Sequence, residues 1–247
     1  MHILCKFRSI DRNLLDSLAR GYIYFPHPEQ LNDPFDCKLN ILDSLSRAIE
    51  RSDGKVKEKL VLLNGVGVQK HFDALNANLS NTGVFSCSHS MASIQSLRQP
   101  LLWSHYADGH KGICLVYNIS NEYIVENNIA GVPVHYKTTS PLVDFFIEWA
   151  SSEEKLSHED FIDNLAIRFL SSKDPCWSYE NEYRLISKNS GEFQLDRSFL
   201  KHVCYGLNIS DKDTDLIGTM LKNFGYEVAP LKMERVNDDF GIIEKEI

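Results

Sequence analysis

The sequence predicts an α+β fold in which strands and helices follow one another without regular alternation. Short, β-prone apolar runs and segments of helical periodicity are interspersed irregularly, unlike the strict strand–helix series of parallel α/β proteins. The 247 residues suit one large domain, and 43% hydrophobic with 24% charged residues is ordinary for a globular chain. We therefore expect a single α+β domain over residues 1–247, with residues 41–79 as a helical insert.

Local patterns predict each element in turn. The apolar run at 3–7 is typical of a strand, and Ser9 or Asp11 is a suitable N-cap for the helix that follows. Gly21 is a suitable end for that helix, because glycine adopts the left-handed C-cap conformation without strain. Strands are expected at 3–7, 22–25, 84–87, 113–117, 131–136, 182–187, 199–205, 226–229 and 231–236. Helices are expected after the first strand, within the insert, over part of 93–106, twice over 142–171 and at 211–224.

The composition restricts the compartment and the class of partner. A net charge of -8 argues against a protein that wraps duplex DNA, although a local basic groove could still hold a nucleic acid. Apolar runs fall short of the roughly 20 residues of a membrane span, and the first residues do not resemble a signal peptide. The 6 cysteines are isolated from one another, which indicates a reducing cytoplasm and no disulfide framework. The sequence has no glycine-rich phosphate loop.

Residues 103–112 contain more side chains of the kinds used in active sites than any other segment, and they precede the strand at 113–117. We call such a segment chemically dense. His105, Asp108 and His110 are candidates for acid–base chemistry or for metal binding. The two histidines have a spacing that matches no helical pair, and the glycines beside them indicate a turn. The alternative is a turn in which Asp108 and His110 hydrogen-bond to the backbone, and we favour that alternative for Asp108.

Residues 177–184 form a second such segment, at the start of the strand at 182–187. Glu180 and Glu182 are two apart, so both leave one face of a strand. Two adjacent carboxylates repel, which raises one pKa and separates an ionised group from one available for proton transfer. The alternative is a solvated edge on which Arg184 neutralises Glu182. The surrounding aromatic residues favour a low-dielectric pocket wall: Trp177, Tyr179 and Tyr183.

Weaker candidates lie near strand ends elsewhere in the chain. Arg8 offers a two-pronged donor to a phosphate or carboxylate, although most arginines are simple surface residues. Asn32 and Asp33 are turn formers that could shape the floor of a pocket. Ser86 lies in the strand at 84–87, which is followed by a hydroxyl and an imidazole.

Taken in order, these segments resemble an uncharacterised bacterial family of domains of unknown function. The resemblance is carried by Phe7-Arg8, by Asn-Asp-Pro-Phe-Asp at 32–36, and by the runs at 103–112 and 177–184. The chain also resembles, more distantly, the ADP-ribosyltransferase superfamily. That likeness is carried by a basic end to the first strand, an aromatic-and-hydroxyl strand, and Glu-x-Glu at the opening of a late strand. It implies a split mixed or antiparallel β-sheet that forms an NAD-binding cleft.

The resemblance to ADP-ribosyltransferases also implies roles for individual residues. Arg8 corresponds to the residue that holds the dinucleotide, Tyr106 to the aromatic that stacks on nicotinamide, and Glu182 to the catalytic glutamate. Glu180 is then the upstream member of the pair. A carboxylate stabilises the oxocarbenium-like centre that forms when the glycosidic bond breaks. The Ser-Thr-Ser strand of that superfamily has only a loose counterpart at 85–88.

The expected function is that of a cytoplasmic ADP-ribosyltransferase or NAD glycohydrolase in a toxin or phage-defence setting. NAD is the expected substrate. The expected partners are a protein or nucleic acid as ADP-ribose acceptor and an antitoxin or defence-system protein, with no membrane association. The expected site comprises catalytic Glu182, Glu180 and His105, cofactor-binding Arg8, Tyr106, Phe7, Ser86 and Trp103, and substrate-binding Asn32, Asp33, Arg184 and Tyr179, with no metal.

Two other classes of function stay open at this point. The first is a metal-dependent nuclease or hydrolase that uses His105, Asp108 and His110, with Asp33 or Asp36 as a further ligand. The second is a non-catalytic ligand-binding or interaction module whose cleft binds without turnover. Bound divalent metal would favour the first, and NAD binding without consumption would favour the second.

Overall fold

A computed structural model describes residues 2–33, 35–65, 68–90, 94–137, 140–153 and 156–247 of the chain. Pro34 of the predicted turn and Ser93 of the predicted helix lie outside these residues. Within them, strands and helices follow one another irregularly, which confirms the predicted α+β class. The strands are β1 (His2–Arg8), β2 (Tyr22–Phe25), β3 (Gly83–Ser90), β4 (Ile113–Ile119), β5 (Ile129–Pro133), β6 (His135–Tyr136), β7 (Ser172–Lys173), β8 (Glu182–Ser187), β9 (Gly191–Gln194), β10 (Leu200–Tyr205), β11 (Ala229–Arg235) and β12 (Ile242–Glu246). The helices are α1 (Arg12–Arg20), α2 (Ile41–Glu50), α3 (Gly54–Gly65), α4 (Val68–Leu79), α5 (Pro100–Tyr106), α6 (Asn121–Glu126), α7 (Pro141–Ser151), α8 (His158–Leu170) and α9 (Asp211–Asn223).

Eight of the strands form one mixed sheet in the order β12-β11-β10-β4-β1-β3-β8-β5. Neighbouring strands are antiparallel except for the parallel pair of β10 and β11. Two short pairs lie outside this sheet, β2 with β9 and β6 with β7. β4 and β8 are the strands that follow the two chemically dense segments. In the sheet they are separated by β1 and β3, which lie at its centre.

The sheet opens between β1 and β3. β1 pairs with β4 along its whole length, but with β3 only at residues 3–5. β3 continues to pair with β8 back to Gly83. The C-terminal half of β1 therefore separates from the first half of β3. Lys6 spans the gap, with a 2.6 Å hydrogen bond from its ammonium to the carbonyl oxygen of Ser86. The sheet is thus split at its centre, as the fold prediction expects.

Helices cover both faces of the sheet. Val84 and Phe85 point to opposite faces, because side chains alternate along a strand. Phe85 belongs to the core beneath α1 and α9, which also contains Leu14. Val84 belongs to the core shared with α2, α3, α4, α7 and α8, so the segment 41–79 supplies three of these helices. On the same side as this second core, α5 packs over β1 and β4 around the fully buried Trp103.

The helices are short, and several begin at a side chain that accepts a backbone hydrogen bond. In α1 the Asp11 carboxylate accepts from the Leu14 amide at 2.7 Å, and Gly21 ends the helix with a left-handed φ of 71°, as predicted. Serine hydroxyls perform the N-cap role in α6, α8 and α9: Ser120, Ser157 and Ser210. Of the helices in the described part of the chain, none is long and apolar enough to cross a membrane.

The C-terminal strands differ from the prediction. Residues 226–228 form no strand, because Tyr226 instead packs on the core beside α1 and donates from its hydroxyl to the Leu18 carbonyl at 2.9 Å. β11 begins only at Ala229, and it is followed by β12, which the pattern does not predict. β12 is an edge strand with the sequence Ile-Ile-Glu-Lys-Glu, and its charged half hides the apolar alternation that marks a strand.

Candidate functional site

A cleft of about 400 Å³ lies over the split between β1 and β3. Its volume falls within the usual range of small-molecule sites, roughly 300–1,000 Å³. It is lined by the end of β1, the loop after β2, the middle of β3, the C-terminal half of α5, and the segment from β7 to the start of β8. These parts are remote in sequence, so only the folded sheet brings them together.

Eight of the twelve predicted site residues line this cleft. Arg8, Tyr106 and Glu182 are therefore found together in the lining of one cleft. The cleft also contains two cations that the sequence pattern does not single out, Lys6 and Lys173. It contains Asp36 as well, which only the metal-dependent alternative uses. The eight predicted residues are Phe7, Arg8, Asn32, Ser86, His105, Tyr106, Glu180 and Glu182.

Trp103 does not reach the cleft, which corrects its predicted role in cofactor binding. It is fully buried, its indole Nε1 donates to the Leu97 carbonyl at 2.7 Å, and its ring meets Phe7 edge-on with centroids 5.0 Å apart. Trp103 is therefore a core residue on the inner side of α5, and its packing holds in place the half of the helix that lines the cleft. Phe7 performs a similar packing role while also lining the cleft.

Asp33 and Tyr179, which are predicted to bind substrate, do not line the cleft. Asp33 stabilises its own turn, where its carboxylate accepts from the Phe35 amide at 2.9 Å. It lines a separate cavity of about 750 Å³, which shares Asp36 and Lys173 with the cleft. Tyr179 is half-buried behind His105, with ring centroids 6.1 Å apart. Asp33 is therefore the turn former that its residue type indicates, and Tyr179 packs against His105 from behind.

Tyr106 connects the two chemically dense segments across the cleft. It is the last residue of α5, and its hydroxyl donates to the Glu180 carboxylate. The same hydroxyl accepts from the Asn32 side-chain amide at 3.2 Å. His105, one residue earlier, lies against Trp177 with ring centroids 6.4 Å apart. The two segments that precede β4 and β8 therefore form adjoining walls of one pocket.

Glu180 reaches the cleft from a 3₁₀ turn, Pro175–Glu180, rather than from the strand. Asn181 follows in the left-handed conformation, with φ 44°, and its side-chain amide donates to the His89 carbonyl at 2.6 Å. The chain thus changes direction between the two glutamates. Their shared orientation is set by this turn and by a common partner, Lys173, and does not come from the period of a strand.

Lys173 is the common partner of both glutamates. Its buried ammonium donates to Glu180 Oε2 at 2.7 Å and to Glu182 Oε2 at 3.2 Å. It also lies 4.7 Å from the centroid of the Trp177 ring, a favourable cation–π position. Burial lowers the pKa of Lys173, but Glu182 and then Glu180 raise it above its usual value. Lys173 is therefore a fixed cation between two carboxylates at neutral pH.

Arg184 completes what we call the buried ion-pair network, which consists of Asp36, Lys173, Glu180, Glu182 and Arg184. Arg184 is fully buried, and its Nε donates to Glu182 Oε1 at 2.8 Å. Its terminal nitrogens donate to both Asp36 oxygens, at 3.0 and 2.5 Å. Such two-pronged pairing leaves no donor face for a ligand. The predicted substrate-binding role of Arg184 is thus corrected, because the side chain lies behind the cleft.

The two glutamates differ in acid–base behaviour. Burial raises the pKa of Glu180 above the usual range of a glutamate, although Lys173 and Tyr106 hydrogen-bond to it. Burial acts on Glu182 in the same direction, but the guanidinium of Arg184 and the ammonium of Lys173 lower its pKa to about 2. At neutral pH Glu182 is a fixed anion, and Glu180 is the member of the pair better suited to exchange a proton.

Residues 108–110 form a turn. Asp108 and His110 have left-handed φ values of 46° and 69°, and the Asp108 carbonyl accepts from the Lys111 amide at 3.2 Å. The His110 ring stacks on Trp103 and its Nε2 lies 3.2 Å from the Ser104 hydroxyl. His105 lines the cleft whereas His110 does not. Across the described ranges, no three His, Cys, Asp or Glu side chains are grouped as a metal site.

Comparison with known proteins gives one family match. The model of the family described as "Protein of unknown function (DUF2971)" matches residues 102–185. That stretch runs from α5 to β8 and includes both chemically dense segments together with Lys173. No curated protein and no solved structure gave a significant match. Over this part of the chain, the protein is similar to an uncharacterised domain family, in agreement with the first resemblance found in the sequence.

Proposed function

We propose that the cleft binds NAD, cleaves its nicotinamide–ribose bond and transfers ADP-ribose to an acceptor. The observation that carries this proposal is the meeting of Arg8, Tyr106 and the two glutamates in one cleft at the split of the sheet. The cleft combines a basic group, an aromatic group and carboxylates. These groups suit the diphosphate, the nicotinamide ring and the cationic sugar of the transition state, respectively.

The reaction places separate demands on the two carboxylates. The bond between ribose C1′ and the nicotinamide nitrogen breaks, its electron pair goes to that nitrogen, and positive charge develops on the ribose. Ionised Glu182 and Glu180 stabilise this charge electrostatically. The acceptor oxygen or nitrogen then bonds to C1′ and loses a proton, which Glu180 accepts because burial raises its pKa. Water as acceptor makes the same reaction NAD hydrolysis.

One observation favours a second candidate, a ligand-binding module without turnover. Both glutamates are already engaged by Lys173, and Glu182 is also engaged by Arg184. Carboxylates neutralised in this way are weaker partners for a developing cation than free ones. In this second candidate the buried ion-pair network has a structural role, and NAD or a related nucleotide binds in the cleft and leaves unchanged.

The two candidates are separated by measuring nicotinamide release and NAD binding with the same purified protein. We expect NAD to be consumed and one nicotinamide to be released per NAD. Binding of NAD without nicotinamide release would support the module instead, and absence of both would refute both candidates. Tyr106→Phe tests the contact between Tyr106 and Glu180, because it removes the hydroxyl that donates to Glu180 but keeps the ring for stacking. Tyr24→Phe, on an exposed tyrosine, is the matched control.

A further inference from the structure

Lys6 is a cation in the cleft for which the ion-pair network supplies no partner. It lies in the half of β1 that separates from β3, and its ammonium donates to the Ser86 carbonyl at 2.6 Å. The ammonium also lies 5.0 Å from the centroid of the Phe85 ring. An ammonium has three donor hydrogens, so one carbonyl leaves most of its bonding capacity for another acceptor.

The charges around Lys6 are unevenly paired. Lys173 and Arg184, on the β8 side of the cleft, are each bound to two carboxylates. Arg8 makes one partly exposed contact with Asp11 at 3.3 Å. Among the described residues no carboxylate forms an ion pair with Lys6. The β1 side of the cleft therefore carries positive charge that lacks a buried counter-charge, which is unfavourable in a partly desolvated place.

We propose that Lys6 and Arg8 form an anion subsite that takes the diphosphate group of a dinucleotide ligand. They are two residues apart on β1, so both leave the same face of the strand, and both line the cleft. Lys6 supplies a compact charge with free donors, and Arg8 supplies a planar fork that matches phosphate oxygens. The identification of the anion as part of NAD rests on the proposed function. The subsite itself requires only a phosphate group.

The surroundings of Lys6 agree with a site that is completed by an anion. Burial lowers the pKa of Lys6, and the neighbouring Arg8 acts in the same direction, against the opposite effects of Cys87, Glu182 and Glu180. A bound diphosphate opposes both lowering effects, because a nearby negative charge favours the ammonium form. Binding of the anion and protonation of Lys6 should therefore reinforce each other.

The test is calorimetric binding of three probes to the wild type, to Lys6→Met and to a control, Lys201→Met, on an exposed lysine of β10. The probes are ADP-ribose, inorganic pyrophosphate and nicotinamide riboside, which lacks a diphosphate. Loss of a charge-assisted hydrogen bond weakens binding by about tenfold or more. We expect that loss in Lys6→Met for ADP-ribose and pyrophosphate, no change for nicotinamide riboside, and no change for any probe in the control.

A second measurement uses the unaltered protein, in case Lys6→Met does not fold. Amine-specific labelling followed by mass spectrometry reports the reactivity of each lysine, and we expect pyrophosphate to protect Lys6 but not Lys201. Equal binding by Lys6→Met and wild type, or labelling of Lys6 that pyrophosphate does not change, overturns the subsite. If pyrophosphate binds through Lys6 but NAD is not consumed, the subsite stands and the proposed reaction fails. If NAD is consumed but the substitution of Lys6 does not change binding, the proposed reaction stands and the subsite fails.

Discussion

The two glutamates of the cleft show how identical side chains acquire different properties. Lys173 and Arg184 together give three hydrogen bonds to Glu182, whereas Glu180 receives one from Lys173 and one from Tyr106. A carboxylate has about four acceptor positions, so Glu180 keeps more of them for a ligand. The resemblance to ADP-ribosyltransferases assigns the catalytic role to Glu182. The hydrogen bonds favour Glu180 as the group that contacts the ligand, whereas Glu182 contributes its charge and holds Lys173 and Arg184 in place.

The substitution Glu180→Gln tests this division of roles. It keeps the shape of the side chain and a hydrogen-bond acceptor for Tyr106, but removes the charge and the proton acceptor. We expect NAD consumption to fall by about a hundredfold or more, the typical effect of losing a preorganised electrostatic contact. The wild-type rate should decline as the pH falls through the raised pKa of Glu180, and the residual rate of the variant should lack that decline. Glu227→Gln, at an exposed position, is the control, and a wild-type rate in Glu180→Gln would exclude Glu180 from catalysis.

Glu182→Gln should affect stability in addition to turnover. It removes one partner of a buried ion pair and leaves Lys173 and Arg184 short of negative charge, which typically costs about 3 kcal/mol. The folded pKa of Glu182, about 2, lies below its ordinary value of 4.5. The stabilisation is therefore complete above about pH 4.5 and lost as the pH falls towards 2. Urea unfolding at pH 7 and pH 3 should show a smaller difference between wild type and variant at pH 3. A difference independent of pH would contradict the assignment.

At the scale of elements, the junction between α5 and β4 depends on Gly112. A Cβ at this position would collide with the carbonyl oxygen of Arg8 and with the backbone of Ala107. We expect Gly112→Ala to destabilise the protein by about 1–3 kcal/mol, the usual effect of forced overpacking. It should also weaken ligand binding, because the backbone that must move carries Arg8. Gly65→Ala, where an added Cβ meets no neighbour, is the control in urea unfolding. Equal midpoints for the two variants would show that the junction tolerates the extra atom.

Elements with strong local signals could be predicted from the sequence, and those without them could not. β8 and the caps of α1 are as predicted, since apolar β-prone residues, Asp11 and Gly21 each act within a few positions. β9 and β12 are not predicted. β9 is short and forms by pairing with the distant strand β2, whereas β12 pairs with its neighbour β11 but is charged over its second half. The single strand expected at 131–136 is divided into β5 and β6, which pair with different partners.

At the scale of the whole molecule, the site depends on which strands are neighbours. The sequence marks residues around Tyr106 and Glu180 as chemically dense, but their contact requires β1 and β3 to lie between β4 and β8. No local pattern encodes that order. Lys173 and Lys6 are missed for the same reason, because a lysine in a short polar or apolar run is usually exposed. Only the finished sheet shows that one of them joins two glutamates and the other spans the split.

The charge distribution of the assembled cleft leads to a prediction about metal dependence. Asp36, Glu180 and Glu182 are each bound to a lysine or arginine, and Lys6 and Arg8 add further positive charge to the lining. Cations so placed repel a divalent ion and occupy the oxygens that would bind it. We therefore expect nicotinamide release to continue at an unchanged rate after treatment with EDTA and removal of the chelator.

A metal-dependent nuclease or hydrolase should instead lose its activity with EDTA, because hydrolysis of a phosphodiester at neutral pH usually relies on a metal-activated water. His105→Ala and His110→Ala separate the two possibilities further. In the NAD-cleaving protein His105 lines the cleft and His110 stacks on Trp103, so only the first substitution should reduce turnover strongly. Activity that is lost with EDTA, restored by magnesium, manganese or zinc, and equally sensitive to both substitutions would overturn the NAD-cleaving proposal. Because His105 and His110 would then have to share one ion, the turn at 108–110 would have to rearrange on binding it.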